Sequence, residues 1–129
     1  MNLIKATLKN IAQKDTLRIA EFVFDGERIY MMALELPQKL RIGESVILGI
    51  KPTHIAIRKD FDVDSSFDNQ LKISIVSIEA GELLVNVKGA VGGVILESVI
   101  TLKSYLRMNL QVGNTAVMLL PASELFIVE

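Results

Sequence analysis

Gly43-Glu-Ser-Val-Ile-Leu-Gly-Ile-Lys-Pro-Thr-His-Ile-Ala-Ile57 is answered, without a gap, by Gly113-Asn-Thr-Ala-Val-Met-Leu-Leu-Pro-Ala-Ser-Glu-Leu-Phe-Ile127. Each copy opens on Gly and a short polar pair and runs through an apolar strand. It then breaks at a corner containing Pro and resumes as a strand. Each corner carries a small hydroxyl, Thr53 in one copy and Ser123 in the other. A sharp corner interrupts the ladder between strands and so releases backbone N–H groups, which must find another acceptor. The repeat therefore predicts a duplicated building unit whose corners are the places to look for ligand chemistry.

Working outward, the rest of the chain duplicates as well. Ile4 to Ile11 alternates apolar and polar residues, the period of a half-buried strand, and Asn69 to Ile78 lies column for column on Asn2 to Ile11. Leu17 to Phe24 reads as a second strand. Its apolar set moves from Leu17 and Ile19 to Phe22 and Phe24, which predicts a bulge near Ala20-Glu21. Asp25-Gly26 is a two-residue hairpin signal, since Gly accepts the positive φ of a type I′ turn. Arg28 to Leu36 returns as a third strand that Pro37 stops, and Gln38 to Ile42 is a short connection with room for one helical turn. In the second half Leu83–Lys88 and Val94 to Thr101 are the matching strands around a glycine-rich hairpin, Gly89 to Gly93. Leu102 to Leu110 has helical spacing, with Thr101 and Ser104 placed to cap it. Five short strands per half, with Gly at the corners, predict an all-β chain of two tandem OB-like Greek-key barrels. The expected division is 1–59, an acidic linker at 60–68, and 69–129, with a three-residue length difference absorbed in turns.

Composition narrows the function. The 129 residues include no Cys and one His, His54, so neither a thiolate metal site nor a His-based catalytic pair is possible within one chain. Ten Lys and Arg stand against six acids in residues 1–59, four Asp and no base in 60–68, and four bases against five acids in 69–129. A mildly basic first half favours anions but falls short of a nucleic-acid stripe, and seven scattered aromatics make a poor stacking platform. The linker's Asp60-x-Asp-x-Asp start fails as a calcium loop, with Ser65 and Leu71 at the positions that need Gly and Glu. No Ser/His/Asp set, phosphate loop or framed carboxylate pair suggests an enzyme. Met-Asn-Leu-Ile-Lys is no signal peptide, and no run reaches the length of a membrane span, so the cytoplasm is expected, with no membrane insertion.

Three segments then carry a specific resemblance. Ser66-Phe-Asp-Asn-Gln-Leu71 resembles the Ser-Ala-Arg-Asn-Gln-Leu opening of molybdate-binding Mop domains, members of the TOBE superfamily. Ile100-Thr-Leu-Lys-Ser104 resembles their Ile-Thr-x-x-Ser element, and Pro121-Ala-Ser-Glu124 their Lys-Ala-Ser-Glu corner. The first half, with Lys51-Pro-Thr-His54, is nearer the TOBE tails of transporter ATPases, and the duplication resembles the two-domain molbindins.

The resemblance implies a bound tetrahedral oxyanion, molybdate or tungstate, no organic cofactor, and sites lying between domains or subunits. It implies a homo-oligomer, a trimer by molbindin precedent or a dimer. Carried over position by position, the anion-binding residues would be Ser66, Asn69, Thr101, Ser104 and Ser123 in the second half, with Asn2, Lys51 and Thr53 in the first. Such a dianion has four acceptor oxygens and no donor, so it wants convergent N–H groups, hydroxyls and a fixed cation. Two departures matter. Asp68 replaces the family's opening cation, and Pro121 replaces its corner Lys, removing an ammonium and a backbone N–H together. The first half keeps Lys51 and Thr53 but has Leu34 in place of a family hydroxyl. The expected sites are therefore hybrids, pairing Lys51 and Thr53 of one half with Thr101 and Ser104 of another. The rival reading is an interaction or regulatory module attached to a molybdate or tungstate transporter ATPase or a molybdate-responsive regulator.

Overall fold

The computed structural model describes residues 1–37, 39–61 and 64–128. The first half supplies β1 (Asn2–Lys14), β2 (Leu17–Phe24), β3 (Glu27–Ala33), β4 (Ser45–Ile50) and β5 (Ala56–Arg58). The second supplies β6 (Asn69–Ala80), β7 (Leu84–Val91), β8 (Val94–Thr101), the helix α1 (Leu102–Met108), β9 (Thr115–Leu120) and β10 (Phe126–Val128). A single 3₁₀ turn forms each corner, Pro52–His54 before β5 and Ala122–Glu124 before β10. The chain is thus all-β apart from one short helix, in two OB-like five-stranded antiparallel sheets.

The corners do more than turn the chain. The sheets run β10-β4-β1-β2-β3 and β5-β9-β6-β7-β8, so each half gives its last strand to the other half's sheet. Phe126 pairs with Gly49 on β4, and Ala56 with Leu119 on β9. This exchange interlocks the halves, because neither sheet is complete without a strand from the other. The far edges, β3 and β8, are each met by an asparagine of the opposite half. Asn2 takes the N–H of Glu97 on its Oδ1 at 2.7 Å and gives its Nδ2 to the Glu97 carbonyl at 2.8 Å. Asn69 does the same to Tyr30, at 2.7 and 2.8 Å, and donates again to the Leu120 carbonyl at 3.0 Å. A primary amide presents donor and acceptor side by side, so it stands in for one residue of a neighbouring strand and satisfies an otherwise open edge.

The core joins both halves. Ile4, Leu8, Phe22, Ile29 and Leu48 are buried from the first half, and Leu71, Ile75, Val87, Leu96 and Met118 from the second. Full burial of Phe22 alone contributes about 2–3 kcal/mol by area.

Several expectations shift. The bulge lies on β1, not β2: the register passes from Leu8↔Phe22 to Asn10↔Glu21, leaving Lys9 unpaired, and Val76 repeats it on β6. Leu17 and Ile19 misled the phase because they are exposed on the outer face, while Ala20, Phe22 and Phe24 form the inner row. The first hairpin is as expected, with positive φ at both Asp25 and Gly26. In the second, the tip is Gly92-Gly93, and Gly89 lies inside β7 against Ile73. The third strand stops at Ala33 rather than Leu36. The three extra residues of the second half all fall between β8 and β9, where α1 forms. In the first half the same connection carries Pro37, and its local turns are bonds from Leu40 N to the Pro37 carbonyl and from Glu44 N to the Arg41 carbonyl; Gln38 lies outside the described residues. Of the acidic linker, Asp62 and Val63 lie outside the described residues.

Candidate functional site

Each corner is a single short 3₁₀ turn. In the first, Pro52 sets φ at the opening position, and the Lys51 carbonyl accepts from His54 N at 3.0 Å. In the second, the Pro121 carbonyl accepts from Glu124 N at 3.0 Å. A 3₁₀ turn leaves the N–H groups ahead of its first bond without a partner inside the turn. That frees Thr53 N–H in one corner and Ala122 and Ser123 N–H in the other. The hydroxyls of Thr53 and Ser123 sit beside those donors and are exposed. Among the described residues the Lys51 ammonium is engaged in no ion pair.

Each corner packs on the third strand of the opposite half, the first on β8 and the second on β3. The first is pinned by the buried Ser98 hydroxyl, which donates to the Ile55 carbonyl at 2.5 Å. The two corners also touch. His54 Nδ1 lies 3.4 Å from Glu124 Oε2, and these residues occupy the same position of the two repeated stretches. This gives His54 a partner that reading each stretch by itself could not show. The repeat offset held the clue, since reciprocal packing brings equivalent residues together near the relating axis.

The remaining candidates divide into three groups. Ser66 and Ser123 converge in one shallow pocket of about 250 Å³, together with Asp68, Pro121, Phe67 and, from β3, Met32. Met32 and Phe67 are additions that the motif alone did not mark. Thr101 and Ser104 lie together at the start of α1. Thr101 Oγ1 accepts the Ser104 N–H at 3.1 Å and donates to Ser104 Oγ at 3.0 Å, while Arg107 donates to Ser104 Oγ at 3.3 Å. Thr101 is the N-cap expected from the sequence, and it ends the strand on which the Lys51–Thr53 corner packs. Asn2 and Asn69 form the third group. They are buried and committed to the edges of β8 and β3, a structural task.

As an N-cap, Thr101 makes a prediction. Thr101→Val, which keeps the shape and removes the oxygen, should lower stability by about 1 kcal/mol in a urea titration. An unchanged midpoint would show that α1 does not depend on its cap.

A single chain leaves both corners open on one side, with Thr53 and Ser123 exposed. Closing a site around a dianion needs further donors opposite them. Electrostatics separates the corners: Lys51 supplies a cation to the first, and Asp68 a carboxylate to the second. No group of His, Asp or Glu suited to a metal cation occurs among the described residues. No described helix is long and apolar enough to cross a membrane.

Residues 65–127 match the model of the TOBE domain. The second half is a TOBE domain. The first half, outside that match, repeats the domain's strands, bulge and corner. Among solved structures, the chain is similar over 98% of its length to the cytoplasmic molybdate-binding protein ModG, crystallised with molybdate bound. The likeness covers 94% of that chain at 20% identity, with a TM-score of 0.91. The tandem arrangement of the TOBE domain and its partner half is therefore shared with that protein. No curated protein sequence matches the chain.

Proposed function

We propose that this protein binds a tetrahedral oxyanion, molybdate or tungstate, without catalysing a reaction, and serves in cytoplasmic storage, homeostasis or sensing. The observation that carries this is the corner at Lys51–Thr53. It combines an unpaired ammonium, a free N–H and a hydroxyl on a scaffold of the same shape as ModG, which binds molybdate. The ligand's charge selects such a corner, because each oxygen can accept a charge-assisted bond. Lys51 and Thr53 form one wall of the site, and Thr101 and Ser104, at the end of the strand they pack on, form the other. Ser66 and Ser123 make a second, weaker site, because Asp68 faces the same pocket.

A homo-oligomer, trimer or dimer, closes these walls. Equivalent outer surfaces of the two halves expose apolar side chains near the candidate residues: Leu17, Ile19, Met32 and Leu34 in one, Leu83, Leu84 and Leu106 in the other. Contact between copies would bury both. Native mass spectrometry with and without molybdate tests the reading. The expected result is an oligomer that gains a whole number of anions per assembly, whereas a monomer that takes up none removes it.

The carboxylate and proline at the second corner favour a second reading in part. A module that has lost one anion site could report to a transporter ATPase or a regulator. Retention of the protein by a molybdate or tungstate transporter ATPase, with no anion uptake, would select that reading.

A further inference from the structure

The repeat makes the two sheets comparable row by row, and one outer face is covered while its counterpart is bare. On the second-half sheet the outer rows are Arg58–Val117–Lys72 and Ala56–Leu119–Gln70. On the first-half sheet the same rows read Val128–Ile47–Lys5 and Phe126–Gly49–Leu3. Val117 is 3% exposed and its counterpart Ile47 is 43% exposed. Leu119 is buried too, whereas Leu3 and Phe126 stand 54% and 40% exposed beside it in the equivalent rows.

Residues of the linker reach the covered face. The Lys72 ammonium lies 4.8 Å from the centre of the Phe61 ring, a cation–π contact with the residue that pairs Val117 in the ladder. Gln70 binds the Phe67 carbonyl at 2.9 Å and receives Arg58 at 2.7 Å. The Phe61 ring and the Phe67 carbonyl of this acidic, two-phenylalanine linker thus meet the rows that carry Lys72 and Gln70. On the other sheet the same lysine position is Lys5, exposed and unpaired among the described residues. The half around it is basic, ten Lys and Arg to six acids over residues 1–59. Gly49 lets the Phe126 ring lie flat on the sheet, since a Cβ there would come within 2.7 Å of it. The result is an apolar floor next to β10, whose outer edge carries no neighbouring strand among the described residues.

We propose that this face, Leu3, Lys5, Ile47, Phe126 and Val128, docks an acidic, phenylalanine-bearing extended segment of a partner protein. The partner segment repeats on the first-half sheet what the linker does on the second. Its aromatic ring stacks against Lys5 and covers Ile47, and its carboxylates meet the basic half. The exposed edge of β10 offers main-chain hydrogen bonds to the same segment.

The probe is a labelled synthetic peptide copying the linker, Asp60 to Asp68, titrated into the full chain and read by fluorescence anisotropy. Saturable binding is expected, weakening several-fold as salt rises from about 0.05 to about 0.5 M, because the attraction is screened. Lys5→Glu and Ile47→Asp, both surface changes that circular dichroism can show to be folded, should each weaken it at least about fivefold, which is about 1 kcal/mol. Val112→Asp, an exposed position in the turn ahead of β9, should leave it unchanged. Absence of saturable binding overturns the proposal, as does binding indifferent to both variants. So does native mass spectrometry in which Ile47→Asp dissolves an oligomer, since the face would then be covered by another copy of this chain.

Discussion

Asn69→Ala is expected to destabilise the fold by about 3 kcal/mol, because it strips three hydrogen bonds, one buried and two partly buried, from the junction between the halves. The cost is not the bonds alone. Tyr30 N–H, Tyr30 carbonyl and Leu120 carbonyl would be left in a site where Asn69 is fully buried, and an unmet buried group costs about 1–3 kcal/mol. A domain of this size is stable by about 5–15 kcal/mol, so this is a large fraction. In urea the midpoint should fall by about 2 M at a slope of about 1.5 kcal/mol/M.

Two comparisons sharpen that result. Asn69→Asp keeps an acceptor for Tyr30 N–H but turns an oxygen toward two carbonyls, and it should cost at least as much as Ala. Asn2→Ala loses two bonds at a slightly less buried site and should cost about 2 kcal/mol. A loss below about 1 kcal/mol for Asn69→Ala would mean that water takes over the edge of β3, and the clamp would not be what holds the halves.

The second large effect is on binding. Lys51→Ala should weaken molybdate binding at least about tenfold in calorimetry at fixed ionic strength, since a bond to a charged group contributes about 1.5–3 kcal/mol. Lys51→Arg should restore most of it, because the charge is kept. Asp68→Asn works in the opposite direction. Removing the carboxylate from the Ser66–Ser123 pocket should strengthen or add binding there. Unchanged affinity in Lys51→Ala would discard the hybrid pairing with Thr101 and Ser104.

Much of the local structure at the candidate site was legible because its pieces are local. The corner turns follow from Pro52 and Pro121, and the cap at Thr101 from a hydroxyl ahead of a helical run. The pairing of His54 with Glu124 was not legible, since it joins residues that share a position in two separate stretches and meet only when the halves pack. Nor was the role of Asn2 and Asn69. The motif suggests ligands, but an amide beside an open strand edge finds a backbone partner first, and the buried edge groups must be satisfied.

From the sequence alone came the properties set by a few neighbouring residues: the duplication, the alternation of the strands, the Asp25-Gly26 turn, the corners, and the absence of thiolate or multi-histidine chemistry. Only the tertiary structure decided which sheet each last strand enters. Both β5 and β10 read as strands continuing their own half, yet β5 pairs with β9 and β10 with β4, each in the other half's sheet. The physical reason is that strand period records which face is apolar and carries no mark of the partner across the ladder. Backbone hydrogen bonds are the same for every partner, so the choice falls to packing at the corners and to what the resulting sheet can bury.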